Sequence, residues 1–269
     1  MNINDPELLR RLTAVLAAGG IEDASLEAKW IAEDTETPAQ AEKIAKRRAK
    51  HEPLQYLLGA WEFYGLKFAV GGGVLIPRAD TETIVDAVLS RVKSIKQPRI
   101  ADLCTGSGCI ALALAAHLPA AEITGIELNS PAMAYAQKNR TLHHAENVQL
   151  LQADVLDPQT AAAFSGLDVI VSNPPYLTAE DMAHLQEEVR YEPAAALDGG
   201  EDGLHFYREI TKIWRGALKN GGLLAFEIGC TQAVAVTAIL TENGFTGIET
   251  VKDLCGNDRA VLGYLKSVK

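Results

Sequence analysis

The chain has 269 residues, 48% of them hydrophobic, enough for one large α/β domain with a sizeable core and a small accessory domain. Its net charge of -10 is offset by no basic tail, which argues against tight, sequence-independent nucleic-acid binding, because that rests on Lys and Arg neutralising phosphates. There is no apolar run long enough to span a bilayer, no apolar leader around Asp5, Glu7, Arg10 and Arg11, and no C-x-x-C or zinc-like spacing, so the expectation is a reduced, cytoplasmic protein without a metal site.

Residues 1 to 59 read as short helices. Leu8, Leu9, Leu12, Val15 and Leu16 fall at helical spacing, with Gly19-Gly20 as a stop. A second helix runs through Leu26, Trp30 and Ile31. A third follows Pro38 and carries Lys43, Lys46, Arg47, Arg48 and Lys50, read here as a solvated face in preference to a contact for an acidic partner or RNA. From 60 to 78 the pattern changes to a β-hairpin, with Trp61 to Phe68 paired to Val74-Leu75-Ile76 across Gly71-Gly72-Gly73 and ended by Pro77. Residues 79–269 then alternate helix and strand. Strands are expected at Arg99–Leu103, Glu122–Glu127, Val148–Gln152, Leu167–Ser172 and Leu223–Ile228, with two more around Ile248–Val251 and Ala260–Leu265 that pair antiparallel. Ser130 and Thr231 are candidate helix caps. This order predicts a Rossmann-like α/β fold, a mainly parallel sheet covered on both faces.

Two stretches carry chemistry. Asp102-Leu103-Cys104-Thr105-Gly106-Ser107-Gly108 follows the first strand of that alternation and opens a helix. The glycines allow a tight turn, and the helix start presents unpaired N–H groups. Glu127 ends the next strand, where an acidic side chain commonly binds ribose hydroxyls. A dinucleotide enzyme or a bare strand–helix turn would use the same pattern. Asp102, placed to attract a cationic amino-acid group, and Asp154, placed to accept from an adenine amino group, favour S-adenosylmethionine.

The second stretch is Asn173-Pro174-Pro175-Tyr176, after the apolar run Val169-Ile170-Val171-Ser172. Neither proline has an N–H, both fix φ, and each forces an extended residue before it. The product is a stiff corner offering carbonyl oxygens and the Asn173 amide. Such a corner suits a planar –NH2 group. An ordinary strand-ending turn is the competing reading, outweighed by the glycine turn in the same sheet.

Together these residues resemble class I S-adenosylmethionine methyltransferases that act on planar amino groups. Glu52-Pro53-Leu54-Gln55-Tyr56-Leu57-Leu58-Gly59, Phe63-Tyr64-Gly65, Leu75-Ile76-Pro77-Arg78, Asp80-Thr81-Glu82, Tyr191-Glu192-Pro193 and Gly199-Gly200-Glu201-Asp202-Gly203-Leu204 narrow the resemblance to the release factor glutamine methyltransferases. Ala79, where that family usually has proline, and Cys104, where glycine is commoner, are departures, as is Glu127 where Asp is also frequent.

The resemblance implies a seven-stranded methyltransferase sheet at 79–269, an N-terminal helical substrate-recognition domain at 1–59 and a hairpin linker at 60–78. It implies methyl transfer to the N5 amide nitrogen of the glutamine in a Gly-Gly-Gln motif, in class 1 peptide chain release factors. S-adenosylmethionine would be held by Asp102, Cys104, Thr105, Gly106, Ser107, Gly108, Glu127, Asp154, Val155 and Asn173. Asn173, Pro174 and Tyr176 would be catalytic, and with Pro175 would bind the substrate amide. The expected state is a monomer without nucleic-acid or membrane partners. Glutamine methylation of a ribosomal protein, adenine-N6 methylation of DNA and a non-catalytic binding module are the alternatives.

Overall fold

Asp5 accepts from the Glu7 N–H and Pro6 takes the first helical position, so the chain enters α1 (Pro6–Ala18) on a capped, pre-set turn. The structure, a computed structural model, describes residues 5–266; residues 1–4 and 267–269, inside the first and last expected spans, lie outside the described residues. Then come α2 (Ala24–Glu33), α3 (Pro38–Arg48) and α4 (Leu54–Leu58). Thr37 caps α3 ahead of Pro38 in the same manner. These helices enclose a core of their own, with Leu8, Leu12, Leu16, Ala28, Ile31 and Ala45 fully buried.

The hairpin differs from the sequence reading. It is β1 (Ala60–Phe63) against β2 (Leu66–Ala69), and Val74-Leu75-Ile76 is not a strand. The reason lies at Tyr64-Gly65. Both residues have positive φ, 51° and 71°, the backbone a two-residue hairpin turn requires. The turn therefore closes before the glycine triplet, and the apolar run beyond it is left to line a cavity.

After a 3₁₀ turn at Ala79–Thr81 the remaining elements are α5 (Glu82–Val92), β3 (Arg99–Leu103), α6 (Cys109–His117), β4 (Glu122–Glu127), α7 (Ser130–Leu142), β5 (Val148–Gln152), α8 (Pro158–Ala162), β6 (Leu167–Ser172), α9 (Ala179–Ala183), α10 (His205–Trp214), β7 (Leu218–Glu227), α11 (Ala233–Glu242), β8 (Phe245–Lys252) and β9 (Asp258–Leu265). Ser130 is the first residue of α7 with Asn129 at the cap position, and α11 is preceded by Gln232, so neither candidate cap serves as one.

The sheet runs β5-β4-β3-β6-β7-β9-β8. Strands β3 to β7 are parallel and β9 is antiparallel to both β7 and β8. All six residues of β6 are buried, as a central parallel strand covered on both faces must be. Val169 and Val171 face a core shared with α5, α6 and the hairpin phenylalanines. Ile170 faces the opposite core, built with Tyr207, Ile210 and Trp214 of α10. Strand order reverses between β3 and β6, and ligands of open α/β sheets sit at the carboxyl ends of the strands at such a point. Among the described residues no helix is long and apolar enough to cross a membrane.

Candidate active site

The two chemical stretches leave adjacent strands at that switch point. Leu103, the last residue of β3, pairs with Ser172, the last of β6, so the glycine turn and the Asn173 corner emerge side by side. Ser172 Oγ donates to Leu103 O at 2.7 Å and locks the two strand ends together.

The turn is held from beneath and from the side. Asp102 is fully buried; its Oδ2 accepts from Thr105 Oγ1 at 2.5 Å and from Ala111 N at 3.1 Å. Burial pushes its pKa up to about 7, against the opposing hydrogen bonds of Thr105 and Ala111. Gly106 and Gly108 have φ of 58° and 82°, the left-handed backbone this turn needs before α6 begins. Cys104 has φ 60°, where a side chain is strained; glycine, the commoner residue at this place in the resemblance, would carry no such strain. Glu127 Oε2 accepts from Gly106 N at 2.9 Å and Oε1 from Asn129 N at 2.8 Å. Each oxygen keeps a further lone pair for a ligand hydroxyl.

A cavity of about 260 Å³ opens over this turn. Its wall includes Cys104, Thr105, Gly106, Ser107, Glu127, Val155, Asn173 and Pro175. Gly108 and Asp102 are not in the wall; they shape the turn from behind it. Asp154 is not in the wall either; its Oδ1 accepts from Leu156 N at 2.8 Å. A second cavity of about 180 Å³ adjoins the first, and Leu75, Arg78, Asn173 and Ala196 line both. Tyr176 and Glu227 line the second alone. Pro174 is buried and lines neither cavity by its ring.

The corner is supported by residues the sequence did not single out. Gln232 Nε2 donates to Tyr176 O at 3.0 Å and to Gly203 O at 3.2 Å. Tyr207 O–H donates to Glu227 O at 2.9 Å. Burial pushes the Tyr176 phenol up to about 12, so it stays a neutral wall at ordinary pH. Tyr191-Glu192-Pro193 belongs to a loop that covers the larger cavity. Glu192 is buried, accepts from Ile76 N at 3.0 Å and pairs with Arg78, while Pro193, Ala195 and Ala196 line the larger cavity. Glu82 accepts from Tyr64 N at 2.7 Å.

Residues 79–201 match the family model described as Methyltransferase small domain. The release factor glutamine methyltransferase of Thermodesulfovibrio yellowstonii is 46% identical over 81% of this chain and 78% of its own. That of Geobacter sulfurreducens is 43% identical over 93% of each. The chain belongs to the release factor glutamine methyltransferase family. In fold, a methyltransferase from Pyrococcus furiosus is similar with a TM-score of 0.54, at 17% identity over 77% of this chain and 91% of that one.

Class I methyltransferases use S-adenosylmethionine, and the residues of the larger cavity fit that group. Ser107, Cys109 and Ile110 bring the start of α6 into the wall, Glu127 keeps acceptor capacity for a ribose, and behind the wall Asp102 Oδ1 is a buried acceptor without a partner among the described residues. Leu128, 61% exposed, stands beside Val155 in the same wall as an apolar platform for a planar base. An exposed leucine after a strand has no distinctive pattern, so nothing in the sequence singles out Leu128.

Proposed function

We propose that this chain transfers a methyl group from S-adenosylmethionine to the side-chain amide nitrogen of a glutamine, the one in the Gly-Gly-Gln loop of a class 1 peptide chain release factor. One observation carries the reading: Asn173 stands at the junction of two cavities, one over the glycine turn and one enclosed by Tyr176. A group held in the second would meet a group held in the first at the Asn173 amide.

Thr105, Gly106, Ser107, Glu127 and Val155 would hold the cofactor, which supplies an electrophilic methyl carbon on a sulfonium, while the buried Asp102 braces the turn from behind. The chain's own residues deal with the poor nucleophile. An amide nitrogen shares its lone pair with its carbonyl and resists attack. Asn173 Oδ1 and the Pro174 carbonyl accept its two N–H groups, which fixes the nitrogen and favours positive charge growing there. Neither proline can donate a competing hydrogen bond. Tyr176 walls one face of the amide and helps exclude water. The proton leaves after the new N–C bond has formed, so no strong base is needed beforehand.

In this reading residues 1–59 select the protein substrate, 60–78 link, and 79–269 carry the reaction, in the cytoplasm and as a monomer. The family name supports the release factor; the acidic net charge of -10 speaks against a DNA substrate. Incubation with labelled cofactor and a release factor should add one methyl to the Gly-Gly-Gln glutamine by mass spectrometry, while a ribosomal protein and duplex DNA remain blank. Asn173→Ala should lower kcat by about 100-fold with cofactor affinity kept, the scale of losing one oriented transition-state contact. Methylation of DNA, or an Asn173→Ala enzyme at full rate, would overturn the reading.

A further inference from the structure

Glu227 is a buried acid at the transfer site with no part in the mechanism above. It is the last residue of β7, and because Phe226 pairs with Ser172, it follows its strand into the position beside Asn173. It is 2% exposed and lines the smaller cavity together with Asn173 and Tyr176. The Thr81 and Asn173 side chains stand against its carboxyl, and Asn173 Nδ2 reaches Thr81 Oγ1 at 3.4 Å. Among the described residues its Oε2 has no hydrogen-bond partner. A buried carboxyl kept only for packing would have both oxygens satisfied, since an unpaired one is costly.

We propose that Glu227 is a positioning residue: as a carboxylate it holds the Asn173 amide with its NH2 turned inward, so that Oδ1 faces the substrate nitrogen. This rests on the glutamine-methylation reading. The physical reason is the donor inventory. The two ends of an Asn amide are nearly the same shape, so only hydrogen bonding decides which way it lies. An ionised carboxylate accepts and cannot donate, and so it selects the NH2 end. A protonated one can donate to Oδ1, which favours the opposite, unproductive orientation.

That switch falls within a useful pH range. Burial raises the Glu227 pKa to about 7, opposed by Thr81, Arg259 and Asn173 and reinforced by Asp80. The charged and titratable groups around it are Arg259 on β9, Asp80 in the 3₁₀ turn, Arg78 and Tyr176 in the cavity wall, Tyr207 on α10 and Cys109 on α6. Arg259 also pairs with Asp80 at 3.0 Å, so much of its charge is already committed.

The test uses the full chain as wild type, Glu227→Gln and Glu227→Asp, with a Gly-Gly-Gln peptide followed by mass spectrometry from pH 6 to 9 and cofactor binding by calorimetry. Wild-type kcat/KM should rise about 10-fold between pH 6 and 8, as one ionisation near neutrality dictates. Glu227→Gln should lose at least about 10-fold in kcat at pH 8, with KM and cofactor affinity within about 2-fold, and its profile should be flat. Glu227→Asp should keep the rise with pH. Wild-type kcat in Glu227→Gln, or an unchanged rise with pH in that variant, overturns the proposal. Should Glu227→Gln fail to bind cofactor for want of folding, a flat wild-type profile overturns it and a rise retained by Glu227→Asp supports it. A wild type that binds cofactor but leaves the glutamine unmethylated fails the parent reading, and the role of Glu227 falls with it.

Discussion

At the scale of single residues the site depends on close backbone approach as much as on chemistry. Gly199 lies against the corner: a Cβ there would sit 2.6 Å from Tyr176 Cα and 2.8 Å from Tyr176 C. Both contacts are to backbone, so the clash cannot be relieved by turning a side chain. Gly199 N also donates to Leu177 O at 2.9 Å, which ties the segment leaving the corner to the covering loop. Gly199→Ala should therefore displace Tyr176 and lower kcat by about 10-fold or more, while cofactor binding, proposed for the other cavity, stays near wild type. Loss of cofactor affinity equal to the loss of kcat would mean that the corner is not what Gly199 supports.

Among the elements, Arg48 fastens the covering loop after β6 to the N-terminal helices. Arg48, at the end of α3, is buried; it binds Glu27 of α2 through contacts of 2.7 and 3.0 Å and Glu188 of the loop at 2.7 Å. The basic cluster on α3 is thus only partly the solvated face expected of it: Arg48 points inward, while Arg47 pairs with Glu52. Tyr191 O–H adds a bond to Lys50 O at 3.3 Å. Arg48→Ala removes the shared partner of two carboxylates, one of them, Glu27, only 12% exposed, and should cost about 3–5 kcal/mol by thermal or denaturant unfolding. Glu188 is 41% exposed, so Glu188→Ala should cost under about 1 kcal/mol. Equal losses for the two variants would show that Arg48 does not form a buried hub.

For the whole molecule the two buried acids at the switch point set a pH dependence. Asp102 and Glu227 ordinarily titrate at 3.8 and 4.5 and are raised in the native state to about 7. Between those values the native state holds more protons than the unfolded chain, so stability declines as pH rises. The favourable contribution is complete below about pH 4 and gone above about pH 8. Asp181, Asp202 and Asp253 are shifted the other way, and their contribution changes only at lower pH. Calorimetric scans of the cofactor-free protein should show Tm falling by several degrees from pH 5 to 8, at roughly 2–4 °C per kcal/mol for a chain of this size. Asp102→Asn should recover part of that fall at pH 8 and little at pH 5. A Tm that is level or rises over this range would show that these acids are not buried as charges.

The sequence alone determined whatever depends on neighbours along the chain. Asp5-Pro6 and Thr37-Pro38 announce two helix starts, the apolar run Val169-Ile170-Val171 of β6 announces a central strand, and Gly106-x-Gly108 and Asn173-Pro174-Pro175 announce the two strand-end turns. Backbone rules act over a few residues, so these were legible without the fold. The tertiary structure decided what depends on residues far apart. It brought Glu192 to Arg78 and Ile76 across 114 and 116 positions, and Glu188 to Arg48 across 140. It also made Val74-Leu75-Ile76 a stretch of cavity wall and kept it out of the hairpin. Glu227 is the plainest case: nothing around it in the sequence singles it out, and only the register of β7 against β6 buries it beside Asn173. Burial and pairing, which set a carboxyl's charge and role, are properties of that packing and leave no mark in the local sequence.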